Sequence, residues 1–423
     1  MSLDGLVRRG GTPGRMLVHS FAILALSACG GGGDTAVTAA ALPGASAPGP
    51  GIASAATACD AVTGRVLRVG PGRPYLTPSA AAAAATAGDV VRIDAGDYHG
   101  DVATWSTSSL TICGDGGRAR LFADGRNAQG KAIWVVGGAD VTIDSIEFHD
   151  AKVPDRNGAG IRIEGSSLAI INSGFFDNED GILGGAGATI TIDRSEFARN
   201  GFGDGFSHNL YVGAAESLVV TASSFHEARV GHNLKSRAKL TRIENSYFMD
   251  GPNGTSSYLC EFPNGGVVTM RGNMLHKGPM AQNPTAISFG AEGLAWPTNT
   301  VALTHNTVVM TRGGGTFLSV PATAQSLSLT ANVFAGAASP LLLGGGFAVA
   351  STAQSGNVTT AASNFPGADS IVSPSFWPSA AFLASIVIAG VPDAGYRRDA
   401  PHPFVTRDIV ASTRLAGALQ SAP

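Results

Sequence analysis

The sequence predicts an all-β fold, a parallel β-helix in which short strands stack coil upon coil. Glycine accounts for 57 of the 423 residues, only 14% of residues are charged, and a short apolar phrase recurs about every two dozen residues. Few charges and many glycines exclude a helical bundle, and 44% hydrophobic residues exclude wholesale disorder. The formal net charge of −3 provides no basic stripe for a nucleic acid.

Residues 1–28 have the pattern of a secretory signal peptide. Arginines precede an apolar run at 16–26 that is too short to span a bilayer. The run ends in Leu-Ser-Ala before Cys29, which resembles the lipobox of bacterial lipoproteins. This resemblance implies that Cys29 is lipidated and that the protein is an outer-membrane lipoprotein, because Gly30 and not an acidic residue follows. The alternative is ordinary cleavage beside a bystander cysteine.

Residues 29–58 are rich in small residues and proline, which predicts a flexible tether. Folded structure is expected from about Cys59. Cys59 and Cys113 could form a disulfide in an oxidising compartment, whereas Cys260 lies in an apolar stretch and is expected to be buried and free. The sequence has no CxxC pair, which excludes a zinc site of that type.

A short helix is predicted over residues 78–87. Thr77 suits the N-cap, Pro78 suits the first turn, and an alanine run follows. The segment 65–102 resembles the entry segment of right-handed β-helix proteins of the pectin-lyase-like superfamily. The resemblance implies that this helix caps the solenoid, whose first coil would otherwise expose its core and a strand edge.

The coils themselves are predicted from a phrase that starts with an aliphatic residue and ends five residues later with an aromatic or aliphatic one. Its fourth position is often Ser or Asn, as a tight turn requires. Successive starts are 21 to 33 residues apart, which is typical of a parallel β-helix. The instances are Ile143–Phe148, Ile171–Phe176, Ile192–Phe197, Val220–Phe225, Ile243–Phe248, Met270–Leu275, Leu303–Val308 and Leu329–Phe334.

The phrase predicts a β-helix over 59–345, followed by a C-terminal wrap and cap over 346–423. An antiparallel sandwich is the structural alternative, but the hairpin dipeptides that it needs are sparse. A leucine-rich repeat would show several fixed leucines in each repeat, and none is seen.

A patch of polar residues over 204–293 is the candidate functional site. Strand alternation points Leu210 inward with Leu234, and it points Asn209, Tyr211, Asn233, Lys235 and Arg237 outward. Stacking then places one residue of each coil in a row, about 4.8 Å apart: Tyr211, Lys235, Glu261 and Ser288. The structural alternatives are a salt bridge between Lys235 and Glu261, an amide ladder of Asn209 and Asn233, and histidines satisfied by turn carbonyls at His208 and His232.

The superfamily resemblance implies action on acidic or neutral polysaccharides that lie across the stacked strands. β-Elimination at a uronic acid needs a base, a carboxylate neutraliser and an acid, for which Lys235, Arg237 and either Tyr211 or His208 are candidates. The Lys and Arg pair resembles that of chondroitinase-B-like and alginate lyases, although here both residues share one strand. The candidate substrate-binding residues are Asn209, His232, Asn233, Glu261, Ser288 and Arg271.

Other functions stay open at this stage. A non-catalytic glycan-binding or structural solenoid would use the same cations to hold an anionic sugar. A glycoside hydrolase would need two or three converging carboxylates, but the patch offers Glu261 with Asp204 and Asp250 as loop candidates. Ca²⁺ could sit beside Glu261. We expect a monomer whose partners are an acidic polysaccharide and, through the lipid anchor, a membrane.

Overall fold

The computed structural model describes residues 56–336, 343–344, 351–388, 396–398, 404–406 and 414–419. Within them the chain forms a parallel β-solenoid of two long sheets, as predicted. The predicted signal peptide, Cys29 and most of the tether lie outside the described residues. No helix in the described ranges is both long enough and apolar enough to cross a membrane.

The larger of the two sheets, the large sheet, has two arms that meet at a corner of each coil. Its 21 strands in the described ranges are Val66–Val69, Val90–His99, Leu110–Phe122, Val141–Asp144, Ile146–His149, Ser167–Ile171, Gly174–Phe176, Thr189–Asp193, Glu196–Ala198, Ser217–Thr221, Ser224–His226, Leu240–Glu244, Tyr247–Met249, Val267–Arg271, Met274–Lys277, Thr300–Thr304, Thr307–Met310, Ser326–Thr330, Val333–Gly336, Thr352–Ser355 and Val358–Thr360. The last two continue the parallel ladder beyond the predicted boundary at residue 345.

The smaller of the two sheets, the small sheet, contributes one strand to each coil. Its ten strands in the described ranges are Ala103–Trp105, Ala132–Val136, Ala159–Ile163, Asp180–Gly184, Leu210–Val212, Leu234–Ser236, Cys260–Phe262, Thr285–Phe289, Thr316–Ser319 and Leu343–Gly344. Side chains that alternate along these strands point either into the solenoid core or to its outer face.

In the part of the chain that the structure describes, helices are few and short. The α-helices are Pro78–Ala84 and Ala380–Leu383, and the 3₁₀ helices are Ala58–Asp60, Ala362–Asn364 and Ala384–Ile386. Two short antiparallel pairs join Val387–Ile388 with Arg414–Leu415 and Tyr396–Arg398 with Phe404–Thr406.

The predicted cap is confirmed as the helix Pro78–Ala84, which ends three residues before the predicted boundary. The Thr77 side chain accepts a hydrogen bond from the backbone N–H of Ala80 at 3.3 Å, as an N-cap does. The helix packs against the first strand of each sheet, and Ala81 is completely buried in the core. It therefore closes the N-terminal end of the solenoid.

The core contains a column of stacked phenylalanine rings, one from each of five successive coils. Neighbouring centroids lie 4.5 to 5.0 Å apart along Phe148, Phe175, Phe197, Phe225 and Phe248. One predicted phrase is wrong by a single residue, because Ile170 and Phe175 point inward in place of Ile171 and Phe176. Apolar pairs at 170–171 and 175–176 fit either register, and stacking on Phe148 selects one.

The corner between the arms of the large sheet carries a ladder of Ser and Asn side chains. Each side-chain oxygen accepts the backbone N–H of the ladder residue one coil earlier, for example Ser223 Oγ from Ser195 N at 3.1 Å and Asn306 Oδ1 from Asn273 N at 3.0 Å. The residue just before the ladder position is left-handed, as at Ala222 with φ 48°. The fourth position of the phrase is thus confirmed as a turn residue.

Cys59 and Cys113 form the expected disulfide, with Cα atoms 6.1 Å apart, and Cys260 is buried and free. The disulfide ties the segment before the first strand to the strand Leu110–Phe122, across 54 residues.

We expect Cys59→Ser to lower the free energy of unfolding by about 2 to 5 kcal/mol, because the unfolded chain loses a long-range constraint. Urea denaturation of the mature domain measures this. A reductant added to the wild type is the control and should lower the midpoint equally, since Cys260 has no disulfide to lose. Equal midpoints for the variant and the oxidised wild type would contradict the prediction.

The described part of the C-terminal segment packs on the outer face of the large sheet. Phe365, Phe376 and Leu419 belong to a second apolar cluster with large-sheet residues such as Tyr247 and Val309. The backbone N–H of Gly417 donates to the Ala331 carbonyl at 2.7 Å. Among the described residues, this cluster joins the C-terminal segment to the large sheet and contains no residue of the small sheet.

Candidate functional site

The predicted polar row lies on the outer face of the small sheet. Tyr211 pairs in register with Lys235, Lys235 with Glu261, and Glu261 with Ser288. The core-facing residues between them, Leu210, Leu234 and Cys260, are completely buried. The row therefore follows from strand alternation and coil length, as predicted.

Lys235 lies at the centre of an ion-pair cluster. Its Nζ is 3.1 Å from Glu261 Oε2 and 3.1 Å from Glu292 Oε1. His232 Nε2 lies 3.0 Å from the same oxygen of Glu261, although neither contact to that oxygen has the alignment of a hydrogen bond. Burial tends to raise the pKa of Glu261, but its contacts with His232 and Lys235 outweigh burial and lower that pKa. Glu261 therefore balances the charge of Lys235.

Arg237 joins this cluster to the phenol of Tyr211. Its Nε donates to the Tyr211 hydroxyl at 2.8 Å, NH1 donates to Asn264 Oδ1, and NH2 lies 2.7 Å from Glu292 Oε2. Lys235 and Arg237 also lie 5.5 Å and 5.7 Å from the centre of the Tyr211 ring. A phenol, an ammonium and a guanidinium are thus held together on one face.

Glu292 and Asn264 are the site residues that the sequence prediction missed. Glu292 is the only Asp, Glu, Lys or Arg between Lys277 and Arg312, which is a signal that the sequence does contain. It lies in the loop 290–296 that follows the small-sheet strand of its coil. The loop is held to the preceding coil by hydrogen bonds from Glu292 N to Pro263 O and from Ala295 N to Asn264 O, both 3.0 Å.

The two predicted histidines stack on each other behind the row, with ring centres 4.5 Å apart. His208 Nδ1 accepts the backbone N–H of His232 at 3.0 Å, and His232 Nδ1 accepts that of Tyr258 at 3.2 Å. Backbone amides of the next coil, and not turn carbonyls, therefore satisfy them. Burial lowers the pKa of His208 well below its usual value and lowers that of His232. His208 is 2% exposed, whereas Tyr211, the other acid candidate, is half-buried.

The predicted outward orientation of two side chains is wrong, because Asn209 and Asn233 are completely buried. They belong to an amide ladder in which Asn200 Nδ2 donates to Asn209 Oδ1 at 2.8 Å and Asn209 Nδ2 donates to Asn233 Oδ1 at 2.7 Å. Each of these contacts joins one coil to the next, and complete burial keeps both side chains out of reach of a substrate. The asparagines are structural.

Arg271 is also misplaced by the sequence prediction. It ends the strand Val267–Arg271 of the large sheet, in register with Glu244 and Thr304. The Lys235 row lies on the other sheet, so Arg271 is not part of the site. Ser288 does lie in the row, where it is 2% exposed.

The side chains that the structure describes contain no group of three or more His, Cys, Asp or Glu residues that could hold a metal ion. The carboxylate of Glu261, the candidate neighbour of Ca²⁺, contacts Lys235 and His232.

Comparisons with known proteins bear on the fold. A family model for a right-handed β-helix region matches residues 123–277. The chain is similar to a pectate lyase crystal structure, with a TM-score of 0.58 and 16% identity over 85% of this chain and 97% of that chain. It is also similar to an alginate lyase from Paenibacillus sp. str. FPU-7, with a TM-score of 0.50 and 15% identity over 70% of this chain and 98% of that one. A search of curated proteins finds no match. At these identities the likeness to solved structures concerns the fold alone.

Proposed function

The chain has the right-handed parallel β-helix fold of the pectin-lyase-like superfamily, and on that premise we propose that it is an envelope-anchored lyase of a uronic-acid polysaccharide. The anchoring part of the proposal depends on the lipobox-like sequence at Cys29. The fold hosts several functions, so the site must carry the catalytic part.

The cluster of Tyr211, Lys235 and Arg237 on one outer face is the observation that carries the proposal. Lys235 and Arg237 both pair with the Glu292 carboxylate, so the same two side chains suit the carboxylate of a uronic acid. In that position their charges stabilise the negative charge that develops when the C5 proton leaves. Only 14% of the residues in this chain are charged, so the four that pair beside Tyr211, namely Lys235, Arg237, Glu261 and Glu292, form an uncommon concentration.

The elimination needs four coordinated changes at the sugar. A base removes the proton on C5, the C5 electrons form the C4=C5 double bond, the C4–O4 bond breaks, and O4 receives a proton. Arg237 Nε donates to the phenolic oxygen of Tyr211, which leaves the Tyr211 O–H free to donate to O4. In this scheme Lys235 takes the C5 proton as its neutral amine, and Glu261, whose Oε2 lies 3.1 Å away, pairs with the ammonium that forms.

Hydrolysis is less well supported by the same face. Asp250, one of the carboxylates that a hydrolase would need, is completely buried and lies 3.4 Å from the Lys277 ammonium. Asp204 Oδ1 accepts the backbone N–H of Phe206 at 3.0 Å, which is a turn contact. Glu261 itself is buried, and its ion pairs are with His232 and Lys235, not with a second carboxylate.

The proposal is tested with Lys235→Ala and Lys235→Arg on pectate and alginate, followed by the ultraviolet absorbance of the unsaturated product. If Lys235 is the base, both variants are expected to lose about 10²- to 10⁴-fold in rate, because arginine keeps the charge but does not release its proton. Substantial activity in Lys235→Arg would assign Lys235 to charge neutralisation alone.

The wild type decides between the function classes in the same assay. New reducing ends without ultraviolet absorbance would indicate hydrolysis. Retention of the polymers in affinity electrophoresis without either product would indicate a non-catalytic glycan-binding solenoid, and the lyase proposal would be rejected.

A further inference from the structure

The contacts of Glu292 set it apart from the other carboxylates of the site. One of its oxygens lies 3.1 Å from Lys235 Nζ, and the other lies 2.7 Å from Arg237 NH2. The Glu292 carboxylate therefore bridges the same two cations that bind the uronate carboxylate in the proposed function. The geometry is that of a bound carboxylate ligand, supplied by the chain itself.

We propose that Lys235 and Arg237 form a carboxylate subsite that Glu292 occupies, and that a uronate carboxylate binds by replacing the Glu292 side chain. The proposal rests on the proposed function for the class of ligand, an acidic sugar. It adds that the protein competes with its own substrate at this subsite.

Exposure shows which partner can leave. The Glu292 side chain is 44% exposed, whereas those of Lys235 and Arg237 are 11% and 22% exposed. The cations lie beneath the carboxylate, so an incoming anion reaches them only after Glu292 moves. A half-exposed carboxylate regains water when it turns outward, so the exchange costs little desolvation.

The loop that carries Glu292 can stay in place during this exchange. The hydrogen bonds from Glu292 N and Ala295 N hold its backbone to the preceding coil, and Trp296 Nε1 donates to the Arg237 carbonyl at 3.1 Å. Leu294 packs against the core. Rotation of one side chain is therefore enough to open the subsite.

The cations keep other partners when Glu292 leaves. Lys235 retains Glu261 at 3.1 Å, and Arg237 retains the Tyr211 hydroxyl at 2.8 Å and Asn264. These contacts hold both side chains in place for an incoming carboxylate. An incoming carboxylate therefore binds without the entropic cost of ordering the Lys235 and Arg237 side chains.

The test compares the wild type with Glu292→Gln, which removes the competing charge and keeps the shape of the side chain. Binding of pectate, alginate and the single sugar glucuronate is measured by calorimetry. We expect Glu292→Gln to bind the acidic ligand about fivefold more tightly than the wild type, because a neutral amide is displaced from the two cations more easily than a carboxylate.

Glu216→Gln is the matched control. Glu216 forms an exposed ion pair with Lys239 at 3.1 Å on the same solenoid, so this variant changes the net charge equally without touching the subsite. Its affinity should equal that of the wild type. Adding Arg237→Gln to Glu292→Gln should abolish the gain, since one of the two cations is then missing.

The outcomes separate this inference from the proposed function. Tighter glucuronate binding by Glu292→Gln without cleavage of any polymer would support the subsite and reject the lyase. Cleavage by the wild type with equal or weaker binding by Glu292→Gln would support the lyase and overturn the subsite. If Glu292→Gln binds none of the three ligands more tightly than the wild type does, the subsite is likewise overturned.

Discussion

Tyr211→Phe is expected to lower the rate of β-elimination by about 10²- to 10⁴-fold and to weaken polymer affinity far less, because Arg237 keeps Asn264 when it loses the Tyr211 hydroxyl. The variant removes the hydroxyl that would protonate O4, and it keeps the ring against which Lys235 and Arg237 pack. Initial rates of product absorbance at several polymer concentrations separate kcat from KM. The loss should appear in kcat, because the missing proton transfer belongs to the transition state.

The control for this variant is Tyr258→Phe. Tyr258 lies beside the site, where its ring is 5.0 Å from that of His232, and its hydroxyl has no assigned role in the proposed reaction. Its rate should stay close to that of the wild type. A Tyr211→Phe enzyme as fast as Tyr258→Phe would remove Tyr211 from the proposed mechanism.

Phe197→Ala is expected to lower the free energy of unfolding by about 3 to 5 kcal/mol. Phe197 is completely buried in the middle of the phenylalanine column, 4.5 Å from Phe175 and 4.6 Å from Phe225 between ring centres. The substitution opens a cavity and removes two stacking contacts at once. Urea denaturation followed by circular dichroism measures the change.

Phe206→Ala serves as the comparison, because Phe206 is 83% exposed. Its unfolding free energy should stay within about 0.5 kcal/mol of the wild type, as for other surface substitutions. If both variants unfold at the same urea concentration, the phenylalanine column does not stabilise the solenoid in the way we infer.

Much of the fold could be predicted because its signals are local. The recurring phrase, the Ser and Asn turn positions and the Thr77-Pro78 helix start each depend on a few neighbouring residues. The register at Ile170 could not be predicted, since two adjacent apolar residues satisfy the same pattern. Packing between coils makes that choice, because a one-residue slip turns every side chain of the strand to the other face.

The candidate site, like the fold, could be predicted from the sequence only in part. Tyr211, Lys235 and Glu261 could be placed in one row because strand period and coil length determine it. The burial of Asn209 and Asn233 could not, since both asparagines sit at a corner where strand alternation no longer applies. Arg271 fails for a related reason, because nearness in the chain does not show which sheet carries a residue.

The sequence by itself determined the stacked coils, the capping helix and the row of polar residues, since each depends on spacing along the chain. Only the tertiary structure decided that Glu292, 57 residues after Lys235, would bridge Lys235 and Arg237. That contact depends on how a loop folds over the preceding coil. Loop conformation is set by backbone hydrogen bonds between coils, and these follow no periodic pattern that a sequence displays.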